Sequence, residues 1–159
     1  RSSDLASIWT CTEYKFRKEG RLLTSGGMGT MGYSVPAAIG AKMADDSRAT
    51  VAICGDGAFQ MSFMELATAV QFGVDIKVVV MTNNRLGMVR ELQTNGYHDR
   101  QTAVFLDGSP DFIKLAEAYG IPAMRVYDDD TMEKGIEMLA EHKGICLVEV
   151  VVDKDMPTL

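Results

Sequence analysis

Histidine and cysteine are scarce in this chain, which has two histidines and three cysteines in 159 residues. Cys11, Cys54 and Cys146 lie far apart, and the sequence contains neither a Cys-x-x-Cys pair nor a Cys/His cluster. A disulfide framework and a zinc site of the usual spacing are therefore not expected. Unpaired cysteines are typical of a reducing compartment, so we expect a cytoplasmic location.

Long apolar runs and an excess of positive charge are also missing. The run at residues 78–81 is far shorter than the ~20 residues that span a bilayer, and residues 1–4 lack the apolar core of a secretory signal. A net charge of −6 offers no basic surface to nucleic acid or to an acidic membrane. We therefore expect no nucleic acid and no membrane among the partners. The 47% hydrophobic and 24% charged residues predict one globular domain over residues 1–159.

Apolar segments of strand length alternate with segments of helical period along the chain. This alternation predicts an α/β fold, doubly wound, with a mostly parallel sheet and helices on both faces. A polar loop is predicted at residues 93–107. The predicted strands are residues 21–24, 50–54, 76–82, 124–127 and 146–152, and the predicted helices begin near residues 4, 36, 62, 86, 111 and 131.

The central stretch, residues 54–85, has polar residues at the ends of two predicted strands. Asp56 lies between two glycines after one strand, and Asn83 follows the next strand, 27 residues later. Parallel strands joined by a crossover helix have their carboxyl ends side by side, at the edge where open α/β sheets bind ligands. Carboxylate, amide and carbonyl oxygens suit Mg²⁺ beside a phosphate. The sequence therefore predicts a magnesium–phosphate site at this edge.

A second glycine-rich segment, residues 27–32, matches the G-x-G-x-x-G pattern of dinucleotide-binding turns. Such a site needs an acidic residue about 20 positions further on to hold the ribose. Asp56 lies 24 residues past Gly32, so the spacing does not exclude it, but a position between two glycines suits an anion and its metal better. A non-catalytic nucleotide- or NAD-binding module therefore stays as an alternative of another class.

The two polar turns carry a resemblance to a known family. Gly55-Asp56-Gly57, followed after about 25 residues by Asn83-Asn84, resembles the thiamine diphosphate-binding motif of thiamine-dependent decarboxylases and carboligases. Nearly the whole chain resembles the C-terminal, diphosphate-binding domain of the acetolactate synthase large subunit. The segments that carry this wider likeness are residues 24–42, 65–67, 86–89 and 110–118. The resemblance implies thiamine diphosphate and Mg as cofactors.

The resemblance also implies the metal ligands. Asp56 would bind Mg²⁺ through its carboxylate, Asn83 through its side-chain oxygen and Arg85 through its backbone carbonyl. The family has three residues between its second Asn and a Gly, and Gly87 fixes that register here. The register makes Asn83 the ligand and Asn84 the runner-up.

A wider set of cofactor contacts follows from the same likeness. Backbone N–H groups at Gly57 and Ala58 would receive the diphosphate, and Met31 would be the apolar wedge that bends the cofactor. Met61 and Met88 would line the cofactor and substrate pocket, with simple core packing as an equal alternative for each. The full cofactor-binding set is Gly29, Met31, Gly55, Asp56, Gly57, Ala58, Met61, Asn83, Arg85, Leu86, Gly87 and Met88.

Two departures from the family pattern concern specificity. Leu5-Ala6-Ser7-Ile8 stands before Trp9, where the family has polar residues that help to hold the diphosphate. Leu92 stands where acetolactate synthases commonly have a Trp that shapes the acceptor pocket. The sequence therefore leaves the choice of substrate open.

The resemblance implies an enzyme that decarboxylates pyruvate and joins it to a second 2-ketoacid, in branched-chain amino-acid biosynthesis. A plain thiamine-dependent 2-ketoacid decarboxylase is the alternative. In this family a Glu on a separate pyrimidine-binding domain, of the same or a neighbouring chain of a homodimer, activates the cofactor. No segment here resembles that domain. We therefore expect no catalytic residue in this chain, which should be inactive alone, as the C-terminal part or one subunit of a larger homo-oligomeric enzyme.

Overall fold

A computed structural model describes residues 5–15, 17, 22–154 and 156. Strands and helices alternate along most of this length, as the sequence predicts. None of the described helices is long and apolar enough to cross a membrane. The elements in chain order are α1 (Leu5–Glu13), α2 (Ser34–Ala44), β1 (Thr50–Gly55), α3 (Asp56–Gln60), a 3-10 turn (Phe63–Glu65), α4 (Leu66–Gln71), β2 (Ile76–Thr82), α5 (Gly87–Gly96), α6 (Phe112–Ala118), β3 (Ala123–Val126), α7 (Asp129–Glu141) and β4 (Cys146–Val151).

The described strands form one four-stranded sheet in the order β1-β2-β4-β3, with every neighbouring pair parallel. Parallel neighbours need crossover connections, which here contain the helices. Along the chain, β2 is placed beside β1 and β3 is placed at the far edge of the sheet. β4 then takes the position between β2 and β3. Because all strands run the same way, all their carboxyl ends meet at one edge, and those of β1 and β2 lie next to each other.

One face of the sheet is covered by the main hydrophobic core. Alternate residues of a strand point to the same face, and Cys54, Val78 and Leu147 belong to the face that packs against α2, α4 and α6. Phe59 of α3 contacts Phe112 of α6 in an edge-to-face pair with ring centroids 5.3 Å apart. The helix residues buried in this core are Val35, Ala38, Ile39, Ala58, Phe59, Leu66, Ala69, Phe112 and Ala116.

The other face of β3 and β4 is covered by α7. Gly135 of this helix lies so close to the sheet that an added Cβ would be 2.9 Å from Val126 Cγ2 and 3.4 Å from Val148 Cγ1. Val148 follows Leu147, so it points to the face opposite the main core. Helices therefore lie on both faces of the sheet, and the predicted fold class is confirmed.

Three details of the sequence prediction are wrong. Of the strand predicted at residues 21–24, residue 21 lies outside the described part, and residues 22–24 form no strand. Helix α5 runs on to Gly96, which shortens the predicted loop. The Ser62–Glu65 pattern of a capping box instead forms a 3-10 turn without a side-chain cap, because Ser62 accepts the Glu65 N–H with its backbone carbonyl at 3.0 Å.

Candidate ligand site at the carboxyl edge

The carboxyl ends of β1 and β2 bring the two predicted polar turns together. Gly55 at the end of β1 is in register with Met81 near the end of β2. Asp56 follows directly as the first residue of α3, and Asn83 follows Thr82, the last residue of β2. The two side chains therefore belong to one edge of the sheet although they are 27 residues apart.

Asp56 joins the two turns through its carboxylate. Oδ1 accepts the N–H of Gly57 at 2.8 Å, while Oδ2 accepts the N–H of Asn83 at 3.2 Å and that of Asn84 at 2.6 Å. The side chain is almost completely buried, with 2% of its residue surface exposed. A buried carboxylate requires such donors, because burial otherwise strongly disfavours its charge. These bonds hold a negative charge in one place between the strand ends.

The second turn is fixed by its own side chain. Asn83 is buried, and its Oδ1 accepts the N–H of Arg85 at 3.0 Å. An amide oxygen has two lone pairs, so the same atom can also face a cation. Asn84 has a φ of +55°, a left-handed conformation that Asn tolerates better than most residues. The structure thus gives Asn84 a backbone role, whereas Asn83 is the buried amide beside Asp56.

A bridge to the following loop determines where the Arg85 backbone points. Arg85 and Phe105 are opposite each other in an isolated antiparallel bridge. The hydrogen bonds on both sides are made by their neighbours, from Leu86 N–H to the Val104 carbonyl and from Leu106 N–H to the Asn84 carbonyl, each 2.9 Å long. In such a pair, the N–H and carbonyl of the bridged residue point away from the partner strand. The Arg85 carbonyl therefore points away from this loop.

The Arg85 side chain ties the turn to the same loop. Its guanidinium lies 4.6 Å from the centre of the Phe105 ring. Nη1 also donates to Asp107 Oδ1 at 2.9 Å and to the Asn84 carbonyl at 2.8 Å. The Arg85 side chain thus attaches the turn to the loop that contains Phe105 and Asp107.

Gly57 is required by a close approach at the site. An added Cβ would be 2.7 Å from Leu86 Cδ2, 3.3 Å from Leu106 Cδ1 and 4.0 Å from Met31 Cε. Distances below about 3 Å are steric clashes, so a larger residue would displace Leu86. Leu86, Leu106 and Met31 therefore fill the space beside the glycine turn.

A small hollow opens at these strand ends. Nine of the residues predicted from the sequence line it, whereas Gly29, Met61 and Met88 do not. The sequence reasoning missed four further lining residues, Ala6, Trp9, Met81 and Val152. The complete lining is Ala6, Trp9, Met31, Gly55, Asp56, Gly57, Ala58, Met81, Asn83, Arg85, Leu86, Gly87 and Val152.

The three predicted residues outside the lining have other surroundings. Gly29 is buried with a φ of +62°, and its N–H donates to the Ser25 carbonyl at 2.8 Å. Met61 is 55% exposed. Met88 is half-buried at the start of α5.

A larger cavity of about 250 Å³ lies on the other side of Met31, against the outer edge of β1. Its lining includes Tyr33, Ala37 and Val51 and does not include Asp56 or Asn83. The larger cavity is therefore not the candidate site, because the buried Asp56 carboxylate and Asn83 amide line the smaller hollow. Together the fold and this hollow define an α/β domain with a candidate ligand site at the carboxyl ends of its strands.

Comparison with known proteins identifies the family. The sequence-family model described as "Thiamine pyrophosphate enzyme, C-terminal TPP binding domain" matches residues 5–150 of this chain. The chain therefore belongs to the family of thiamine pyrophosphate enzymes, as their C-terminal cofactor-binding domain. Thiamine diphosphate is the cofactor that defines this family, so the predicted cofactor is confirmed.

Similar proteins include acetolactate synthases from fungi and bacteria. The catalytic subunit of Aspergillus candidus, named as mitochondrial, is 42% identical over 152 residues, which are 96% of this chain and 22% of the relative. The large subunit of Lactococcus lactis is 40% identical over 147 residues, or 92% and 25% of the two chains. The catalytic subunit of Saccharomyces cerevisiae, also named as mitochondrial, is 39% identical over 152 residues, or 96% and 22%. The predicted resemblance is confirmed, and this chain spans about a quarter of the length of these relatives.

Proposed function

We propose that this chain anchors the diphosphate of thiamine diphosphate through Mg²⁺ held by Asp56, Asn83 and Arg85. One observation carries the proposal, namely that the buried Asp56 carboxylate is bound to the backbone of the Asn83 turn. The two predicted side-chain ligands are thus kept together by the same hydrogen bonds that join the two strand ends. The Arg85 carbonyl, which points away from its partner loop, supplies the third oxygen.

The chemistry of these donors fits Mg²⁺. The ion prefers hard oxygen ligands and is usually bound by one or two carboxylates together with substrate phosphates. Among the described residues that line the hollow, Asp56 is the one carboxylate. That leaves coordination positions for the diphosphate. The Ala58 N–H, which lies in the first turn of α3, is a further donor for it.

The apolar side chains beside the hollow support a position of the cofactor rings next to this turn. Leu86 and Met31 both approach the position that a Cβ of Gly57 would take, so apolar side chains border the turn. Bound thiamine diphosphate supplies the chemistry that lets a 2-ketoacid lose carbon dioxide and join a second ketoacid. This chain orients the group, holds its negative charge and excludes water from one side of it.

The remaining catalytic parts would come from elsewhere in the complete enzyme. A Glu on a pyrimidine-binding domain, of the same chain or a neighbouring one in a homodimer, would activate the cofactor. We therefore propose that this chain alone is inactive. The names of the relatives favour a carboligase of the acetolactate synthase type, acting on small 2-ketoacids in branched-chain amino-acid biosynthesis. A plain 2-ketoacid decarboxylase is the second candidate, because Leu92 replaces a Trp of the acceptor pocket, and a cytoplasmic location stays a prediction.

Calorimetric titration of the chain tests the anchoring. Thiamine diphosphate with Mg²⁺ is expected to bind and to raise the melting temperature. We expect no binding of thiamine diphosphate when Mg²⁺ is left out, and no binding of NAD when it replaces thiamine diphosphate. Asp56→Asn keeps the shape and one acceptor oxygen but removes the charge and replaces the second acceptor with an NH₂ donor, so it should abolish the Mg²⁺-dependent binding, while circular dichroism checks that the fold is retained. An unchanged cofactor affinity in this variant would disprove the assignment, and binding of NAD alone would favour the nucleotide-binding module.

A further inference from the structure

A polar network extends across the sheet directly behind the proposed metal-binding turn. Thr82, the last residue of β2, donates its hydroxyl to Glu149 Oε1 of β4 at 3.0 Å. Glu149 Oε2 accepts Arg125 Nε of β3 at 2.6 Å. Because the sheet order is β2-β4-β3, these three residues link three neighbouring strands at their carboxyl ends.

The network continues to the start of α6. Arg125 Nη2 donates to Asp111 Oδ1 at 2.8 Å. The same Asp111 oxygen caps α6 by accepting the N–H groups of Ile113 and Lys114. Hydrogen bonds to Tyr127 and Glu149 hold the pKa of Arg125 above its ordinary value, so its charge is permanent.

Burial gives this network its rigidity. Glu149 is 3% exposed and Thr82 is 7% exposed. A buried carboxylate is stable only while its donors stay in place, so Glu149 selects one rotamer of Thr82. Since Asn83 is the next residue, the direction of its backbone and side chain follows from how Thr82 is held.

We propose that Thr82, held by Glu149 and Arg125, is a positioning residue for the turn formed by Asn83, Asn84 and Arg85. The proposal rests on the proposed function, which assigns this turn to the metal. The network lies behind the turn and keeps the N–H groups of Asn83 and Asn84 on Asp56. The turn is thereby ordered before the metal and the cofactor arrive.

Two variants of Thr82 and one matched control test this role in the whole chain. Thr82→Val removes the hydroxyl and keeps the shape, whereas Thr82→Ser keeps the hydroxyl. Thr68→Val is the control, because Thr68 makes a similar hydroxyl-to-carboxylate bond to Glu65 at 2.8 Å and does not line the hollow. The two measurements are amide hydrogen exchange at Asn83 and Asn84 without metal, and the Mg²⁺-dependent affinity for thiamine diphosphate.

For Thr82→Val we expect exchange about tenfold faster and affinity about tenfold weaker, the loss expected for one hydrogen bond to a buried charge. Thr82→Ser should stay within about twofold of the unmodified chain in both measurements, because its hydroxyl restores the bond. Thr68→Val should lower the melting temperature and change neither measurement.

Unchanged exchange in Thr82→Val would overturn the proposal, as would faster exchange without any loss of affinity. If the unmodified chain itself showed no Mg²⁺-dependent binding, the proposed function would fail, and the role of Thr82 toward the metal would fall with it. The affinity of the unmodified chain therefore separates the two failures.

Discussion

Asp56 and Asp128 both follow the carboxyl end of a parallel strand, and both lie at the start of a helix, yet their surroundings differ. Asp56 after β1 is buried and accepts N–H groups from two separate parts of the chain. Asp128 after β3 is exposed and forms a capping box with Thr131 only three residues away. Its Oδ1 accepts the Thr131 N–H at 2.9 Å, and Thr131 Oγ1 accepts the Asp128 N–H at 3.1 Å.

This difference shows that an Asp after a strand becomes a candidate ligand when the turn after a neighbouring strand buries it and donates hydrogen bonds to it. β1 and β2 are adjacent, so the turn after β2 covers Asp56 and supplies two of its donors. Asp128 finds its partners within its own helix start, and its charge stays in water. The acidic run of Asp128, Asp129 and Asp130 therefore forms the start of α7.

The largest expected effect is on cofactor affinity, which should depend on Asp56 and not on Asp128. Asp56→Asn should weaken Mg²⁺-dependent binding of thiamine diphosphate at least about a hundredfold, because it removes the charge of the proposed metal ligand. Asp128→Asn should leave the affinity unchanged, since Asp128 does not line the hollow and Asn also caps helices. Isothermal titration calorimetry measures both. A similar loss of affinity in the two variants would end the distinction between the sites.

A second comparison uses two glycines, Gly57 in α3 after β1 and Gly135 in α7 after β3. Gly57→Ala should weaken cofactor binding about tenfold at little cost in stability, because the flexible end of Leu86 can move away from the new methyl group but enters the hollow. Gly135→Ala should instead lower the free energy of unfolding by about 1–2 kcal/mol, since its neighbours Val126 and Val148 are stiff β-branched side chains. Denaturant unfolding and calorimetry distinguish the two, and equal effects of both substitutions would contradict the reasoning.

The smallest effect concerns the capping box and its pH dependence. Asp128→Ala should lower the melting temperature by about 2–4 °C at neutral pH without changing cofactor affinity. Hydrogen bonds from Thr131 keep the pKa of the Asp128 carboxyl below its ordinary value. The stabilising contribution is therefore complete above the unfolded pKa of about 4 and is lost as the pH falls through the lower folded pKa.

Thermal melts of the unmodified chain and of Asp128→Ala, compared between pH 7 and pH 3, should therefore converge toward the acidic end. A difference in melting temperature that grew on acidification would contradict the direction of the pKa shift.

Much of this chain follows from local patterns. The apolar run of β2 and the Asp111 cap of α6 are readable because nearby residues decide them. The strand predicted at residues 21–24 failed over residues 22–24, since a short apolar run forms a strand only when a neighbour pairs with it. The capping box at Ser62 failed because the chain makes a 3-10 turn there, in which the backbone carbonyl takes the Glu65 N–H.

The candidate site was predictable to the extent that motif spacing encodes it. The proximity of Asp56 and Asn83 could be predicted because each directly follows a strand. Trp9 and Val152 were missed as lining residues, because they lie far from both turns along the chain and only the packing of α1 and the end of β4 brings them there.

By itself, the sequence determined the order of strands and helices, the glycine–aspartate turn and the family to which the chain belongs, because hydrophobic period and turn chemistry are local properties. Only the tertiary structure decided that Asp56 is held by the Asn83 turn, and that Thr82 is tied to Glu149 and Arg125. Those contacts depend on the sheet order β1-β2-β4-β3. Which strands become neighbours is decided by the burial of the whole apolar surface, which no local pattern specifies.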